Sequence, residues 1–297
     1  MVKSAKKSDI FFHIINYSFF GLFTLICIIP FYYMFINTVS DNDLIKRGLI
    51  IFIPRGFHFN NYIQVFKLRG LGQAALISVS RTIAGTALTV LSCSFTGYLA
   101  TQKNMWGRKF WYRYIIITMY FSAGLIPWYM NMVMLGLLNN YLAYILPGMI
   151  APFSIILVKT YIESIPPSLE ESASIDGAGT MLIFRKIIMP LSKPILATIA
   201  IFAAVGHWNS FMDTLFLVTN EKLFSLQFVL WRYLNEADYL VSIMRRGTTV
   251  AVDTAQILTP RTIQMTISMV VVFPVLCTYP FMQRFFVKGI MVGAIKG

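Results

Sequence analysis

The stretch Glu171-Ser-Ala-Ser-Ile-Asp176-Gly177, followed after nine residues by Ile187-Ile-Met-Pro190, is a short polar island between two long apolar segments. Pro166 and Pro167 stop the helix that arrives from the N-terminal side, because proline lacks an amide N–H and its ring crowds the preceding turn. Ser168, with Glu171 three residues later, has the capping-box pattern of a helix start. Ala173 favours helix, and Gly177 suits a turn that needs positive φ. Thr180 is placed to cap a second short helix, which Pro190 ends before Pro194 opens the next apolar segment. The segment 165–193 therefore reads as helix-turn-helix. Small residues lie on one face and the carboxylates of Glu171 and Asp176 on another, with Arg185 and Lys186 beyond the turn. Such a knob can enter a groove of another protein and pair with basic or amide groups there. A plain loop with ordinary capping chemistry is the alternative.

The flanking segments decide the class of protein. The chain has 297 residues, 57% of them hydrophobic and only 12% charged, whereas a soluble domain carries about 25% charged residues. Apolar stretches long enough to cross a bilayer as helix lie near 12–36, 74–100, 112–134, 140–163, 194–218 and 263–286. Backbone polar groups in lipid must be paired within the segment, so these read as six helical spans of an all-α membrane protein. Pro30, Pro127 and Pro147 lie inside spans and are expected to kink the helices without breaking them. No internal repeat and no linker is visible, so residues 1–297 read as one membrane domain.

The net charge of +13 would point to nucleic acid in a soluble protein. In a membrane protein, basic residues set orientation and meet lipid headgroups. With the N-terminus inside, Lys3, Lys6, Lys7, Lys103, Arg108, Lys109, Arg113, Arg185 and Lys186 crowd short inner segments. Arg47, Arg55, Lys67, Arg232, Arg245 and Arg246 spread over two long outer loops, about 37–73 and 219–262. Short loops and the first helix weigh most, which places both termini in the cytoplasm. The outer loops are polar and aromatic, and Phe57-His-Phe-Asn-Asn-Tyr62 is expected to form a short helix on the membrane surface. Cys27, Cys93 and Cys277 each sit in an apolar stretch and read as small buried residues, neither paired nor metal-binding. His13, His58 and His207 are too scattered for a shared metal site.

Ionisable residues inside spans are costly and are functional candidates. Arg81 lies in the second span and Asp213 in the fifth. Gly206, Asn209, Ser210 and Asp213 follow three-and-four spacing and are expected on one helical face, with Trp208 nearby to stack on a sugar ring. That face reads as a passage lining, while helix packing or nearness to the outer interface remains open. Met119, Met130, Met132 and Met134, with Tyr120 and Trp128, read as a surface toward lipid or a partner.

The island resembles the EAA loop of bacterial ABC-importer permeases, with Glu171, Ala173, Gly177, Ile187 and Pro190 at that loop's spacing; Ser172 and Met189 depart from it conservatively. Gly124-Leu-Ile-Pro127, Leu135-Gly-Leu-Leu-Asn139, Tyr144-Ile-Leu-Pro147, Pro190-Leu-Ser-Lys-Pro194 and Gly206-His-Trp-Asn209 are similar to the carbohydrate-uptake branch, of the MalG and LplC-like kind. The resemblance implies a MetI-like permease fold and a non-enzymatic subunit of an ATP-driven importer for an oligosaccharide or polysaccharide-derived sugar. The basic outer loops allow an acidic one, such as a uronic-acid oligomer. It implies that Glu171, Ser172, Ala173, Asp176, Gly177, Arg185 and Pro190 couple to two cytoplasmic ATP-binding subunits. A second, homologous permease and an extracytoplasmic solute-binding protein complete the assembly. No Gly-x-x-x-x-Gly-Lys-Ser/Thr loop is present, so ATP and magnesium are expected on the partner subunits, and no cofactor or metal in this chain. The rival readings are a permease for a non-sugar solute and an ion-driven secondary transporter. The latter expects paired repeats and midplane carboxylates.

Overall fold

Apolar residues run almost unbroken from Ile10 to Ile36, and they form the long helix α1 (Lys7–Thr38). The structure is a computed structural model that describes residues 7–68, 70–245 and 260–294, with side chains for 10–68, 70–235 and 261–278. All the regular elements among the described residues are helical. They group into two compact units, one formed by residues up to Leu68 with Arg232–Val272, the other by Arg69–Trp231 with residues from Phe273 onward.

In the first unit α1 continues through Pro30 without interruption. Two short helices follow, α2 (Asn42–Lys46) and α3 (Asn60–Phe66). The Asp41 carboxylate caps α2 by accepting from the amides of Asp43 and Leu44, as an N-cap should. The expected short helix around 57–62 is α3, which starts at Asn60, later than the aromatic cluster suggested.

In the second unit α4 (Leu71–Leu99) is the central rod. Along it lie α5 (Arg108–Tyr120), α6 (Leu125–Met134) and α7 (Pro152–Ile162). Next come α8 (Ser168–Ile175), α9 (Thr180–Ile183), a π turn (Phe184–Ile188) and α10 (Met189–Leu191). Helices α11 (Lys193–Asn209) and α12 (Met212–Leu217) complete this part. Gly97 brings α4 against α7: a Cβ there would meet Val158 at 2.8 Å. Helices α13 (Leu226–Arg245) and α14 (Pro260–Ala294) follow. The expected outer-loop residue Arg246 lies outside the described residues, as do Lys3, Lys6 and Arg245's side chain.

Two expected spans are not continuous helices. The third stops at Tyr120, passes through extended backbone at Phe121, and restarts after Gly124 (φ 89°), so Pro127 sits in the first turn of a new helix. The fourth is a short 3-10 turn at Tyr141–Tyr144 and then irregular until α7, with Pro147 in the irregular part. The helix is thus unbroken at Pro30, while the spans expected to run through Pro127 and Pro147 are broken. The irregular backbone survives because α4 satisfies it. Thr89 Oγ1 donates to Gly148 O (3.0 Å), and Ala151 N–H donates to Cys93 Sγ (3.4 Å). Irregular chain at membrane depth is tolerated only with such protein partners.

Among the described residues, Ile10–Thr38, Leu71–Leu99 and Arg261–Thr278 are each long and apolar enough to cross a membrane; Thr180–Leu191 with Lys193–Asn209 reaches that length only if the two helices, bent by 82°, are taken together. Cys93 is buried, but Cys27 and Cys277 are exposed, which corrects the expectation for those two. Met119, Tyr120, Met130 and Met134 are exposed as expected, whereas Met132 is buried and Trp128 turns inward.

Candidate functional site

Two features of the second unit carry the candidate functional residues: an open cavity and the polar segment that precedes α11. The cavity holds about 700 Å³, within the usual range for a small-molecule site. Its walls come from α4, α6, the irregular stretch before α7, α7, α11 and α12, and they carry five large aromatics: Trp128, Tyr144, Phe153, Phe202 and Phe216.

Arg81 and Asp213 meet at its edge. One guanidinium nitrogen of Arg81 donates to Asp213 Oδ1 (3.2 Å) and to Ser210 O (3.2 Å), and the other pairs with Asp213 Oδ2. The guanidinium also lies 4.4 Å from the centre of the Tyr144 ring, a cation–π contact. Tyr144 is held in turn by its hydroxyl, which donates to Leu223 O (2.7 Å). The two side chains are 2% and 14% exposed. A charge this buried needs such a partner.

The expected face of Gly206, Asn209, Ser210 and Asp213 does not exist as one helical stripe, because α11 ends at Asn209 and Ser210 takes extended backbone before α12. Gly206, Ser210 and Asp213 still line the cavity, while Asn209 is exposed and does not. Trp208 lines a separate groove of about 500 Å³ with Thr82, Thr86 and Ala204, so the expected aromatic platform is elsewhere. His207, which the spacing argument passed over, is buried and inserted between two glycines. A Cβ on Gly85 would lie 2.5 Å from its ring, and one on Gly148 3.2 Å. Glycine at both positions is what lets a ring sit there. No sequence pattern marked the five aromatics as a set, since they come from elements far apart in the chain.

The polar segment folds as helix, turn, helix. Pro167, not Ser168, stands at the N-cap of α8 and no side chain caps it, so the expected capping box is not formed. Likewise Gly179, not Thr180, precedes α9. The turn follows its sequence closely. Gly177 has φ 82°, its N–H donates to Ser174 O (3.1 Å), and Ala178 N–H donates to Ala173 O (2.9 Å). This is the Schellman pattern. Helix α9, the π turn and α10 then run on past Pro190 to Leu191, and the chain bends by 82° into α11. The rod therefore lies across α11, not along it.

Glu171, Ser172, Asp176, Gly177, Arg185 and Pro190 are exposed on this segment, and Ala173 packs inward with Ala178 and Ile187. Ile175 is 86% exposed at the tip. The structure adds the anchor that links the segment to α4. The Phe184 ring stacks on Tyr98 (5.2 Å) and meets Phe95 edge-on (5.3 Å), with Ile183 and Ile188 in the same core. Gln102 donates to Glu170 (3.1 Å) from the end of α4. Tyr98 looked like an ordinary span residue in the sequence, and Phe184 like one more apolar side chain of the polar segment.

Comparison with known proteins shows the family of the chain. Residues 93–292 match the family described as binding-protein-dependent transport system inner membrane component. The polygalacturonan/rhamnogalacturonan transport system permease protein YtcP of Bacillus subtilis is 34% identical over 96% of this chain and 98% of its own length. Protein LplC of the same organism is 34% identical over 98% and 97%. A solved bacterial ABC transporter, involved in the import of the acidic polysaccharide alginate, contains a chain that superposes with TM-score 0.83 at 28% identity, covering 96% of this chain and all of that one. The family is one of transport permeases and not of enzymes. The chain is an all-helical, MetI-like permease of the carbohydrate-uptake ABC importers and belongs to the binding-protein-dependent transport system inner membrane component family.

Proposed function

We propose that this chain is one of two homologous membrane subunits of an importer for oligomers of an acidic polysaccharide, with uronic-acid oligomers as the substrate class. The observation that carries this reading is that YtcP is named for polygalacturonan and rhamnogalacturonan and the superposable transporter for alginate. Six crossings, with both termini in the cytoplasm and one membrane domain, complete the topology. They are α1, α4, the broken α5–α6 segment, the 140–163 segment ending in α7, α11 with α12, and α14. Two ATP-binding subunits dock on Glu171, Ser172, Asp176, Gly177, Arg185 and Pro190, and they supply ATP and magnesium sites that this chain lacks. An extracytoplasmic binding protein delivers the sugar.

The geometry supports a mechanical role for the polar segment. Its exposed tip is joined through Phe184 to Tyr98 on α4 and through the bend at Ser192 to α11. A push on α8 thus reaches both walls of the cavity. Within the cavity the aromatics offer stacking faces for sugar rings. Arg81 is neutralised by Asp213, so acid selectivity comes from groups outside it, the basic outer loops among them.

The test is uptake by the assembled importer in proteoliposomes with its binding protein. Labelled oligogalacturonides are expected to accumulate and to outcompete a neutral arabino-oligosaccharide. Equal uptake of both, or preference for the neutral sugar, would reject the acidic assignment while leaving the importer reading intact.

A further inference from the structure

The first outer loop carries a strip of large apolar residues with no cover in its own unit. Leu49, Ile51, Phe52, Ile53, Phe57 and Phe59 are all exposed, Phe52 at 75% and Ile53 at 70%. Only Ile50 in this run is buried, against Ile36 and Ile45. A loose loop would fold such side chains inward, but this loop is pinned with them outward. Leu49 N–H donates to Leu44 O (3.0 Å), and Asp41 N–H to Arg55 O (2.9 Å). Arg55 N–H donates to Ser40 Oγ (3.2 Å), and His58 N–H to Val39 O (2.8 Å). Beneath them Thr38, Ser40 and Asn61 form a buried polar knot in which Asn61 donates to Thr38 O (3.0 Å) and Thr38 meets the Tyr62 hydroxyl (2.8 Å).

One further bond fixes the strip's depth. The Tyr32 hydroxyl donates to Phe52 O at 2.7 Å. Tyr32 lies six residues before the end of α1 at Thr38, about 9 Å down the helix axis at 1.5 Å per residue. Helix α1 is the most apolar of the described helices long enough to cross a membrane, and most of its side chains up to Phe35 are exposed. Phe31, Tyr32, Tyr33 and Phe35 form an aromatic band at that end, the residue type that marks the headgroup boundary. Phe52 is thus held at the level of this band and below the end of the helix, where an outward side chain meets lipid and not bulk water. Lys46 and Arg47 before the strip and Arg55 within it are exposed, which fits contact with headgroup phosphates.

We propose that residues 49–59 form a wedge that inserts into the bilayer leaflet at the C-terminal end of α1, with phospholipid acyl chains against Ile51, Phe52 and Ile53 and headgroup phosphates against Lys46, Arg47 and Arg55. The wedge braces the end of α1 in the membrane. It does not depend on which saccharide is carried.

The test uses the assembled importer in vesicles of phosphatidylethanolamine and phosphatidylglycerol, with Cys27 and Cys277 changed to serine and a nitroxide attached to Phe52→Cys. Power-saturation EPR compares collisions with oxygen, which concentrates in lipid, and with a water-soluble nickel chelate. The expected ratio of oxygen to chelate accessibility is above unity at position 52, and again in Ile53→Cys, which serves if the first variant fails to assemble. Higher chelate accessibility at both positions would place the strip in water, as for a surface that docks a soluble protein. Low accessibility to both reagents would mean that another subunit covers it. Either result would overturn the wedge.

Discussion

Asp213→Ala is expected to destabilise the protein by about 3–5 kcal/mol, because it leaves the Arg81 guanidinium buried without its counter-charge. The loss is read as a large drop in thermal midpoint in detergent or as failure to accumulate in the membrane. Arg81→Ala should cost similarly, by stranding Asp213 and removing the partner of the Tyr144 ring. The double change Arg81→Met with Asp213→Leu removes both charges and fills similar volume, so most of the stability should return. That double variant also decides what the pair is for. A pair that only packs α4 against α12 predicts restored uptake together with restored stability. A pair that lines the passage predicts a stable, correctly inserted protein that transports poorly. A double variant as unstable as the single ones would show that the pair's hydrogen bonds to Ser210 and Thr214 matter more than its charges.

Substitutions at Gly177 should weaken coupling in graded steps without touching any contact. Its φ is 82°, and a Cβ placed there would meet nothing within 4 Å. Steric clash with neighbours is therefore excluded, and the whole effect comes from the backbone. A non-glycine residue in this conformation costs about 1–2 kcal/mol, more for a β-branched one. That is roughly a 5- to 30-fold loss in the population of the native turn. Asparagine tolerates left-handed backbone better than most residues. Uptake should therefore fall in the order glycine, asparagine, alanine, valine, with Gly177→Val losing at least about tenfold while inserting normally. Sugar-stimulated ATPase activity should fall in parallel. Full uptake in Gly177→Val would remove the turn from the mechanism.

The polar segment was the most legible part of the chain, for a physical reason. Its turn depends on local chemistry, a glycine at the one left-handed position and helix formers before it, and local chemistry is written in consecutive residues. The capping assignments at Ser168 and Thr180 were less secure, because Pro167 and Gly179 take the cap positions themselves. Hydropathy marked Ile10–Thr38, Leu71–Leu99 and Arg261–Thr278, which are long and apolar enough to cross a membrane, yet it could not tell a continuous helix from a broken one. The break after Tyr120 and the irregular chain around Pro147 keep an apolar composition. What permits the latter is donation by Thr89 and acceptance by Cys93, more than fifty residues away in sequence. The Arg81–Asp213 pair was visible as two isolated charges in apolar surroundings. Trp208 was expected beside the Gly206 face, yet two positions along α11 turn it about 200° away, and the stripe itself was carried through Ser210, where the helix stops. The cavity aromatics and the role of Tyr98 as a stacking partner were hidden, since nothing in an apolar segment distinguishes a residue facing a cavity or a core from one facing lipid.

The most direct test of the central claim is transport by the lone chain against transport by the assembly. The chain alone, reconstituted in liposomes, is expected to show no ATPase activity above background and no sugar accumulation under an imposed proton or sodium gradient. Adding the second permease, the ATP-binding subunits, the binding protein and ATP should produce accumulation, and removing ATP should end it. Gradient-driven accumulation by the lone chain would contradict the account and make it a secondary transporter.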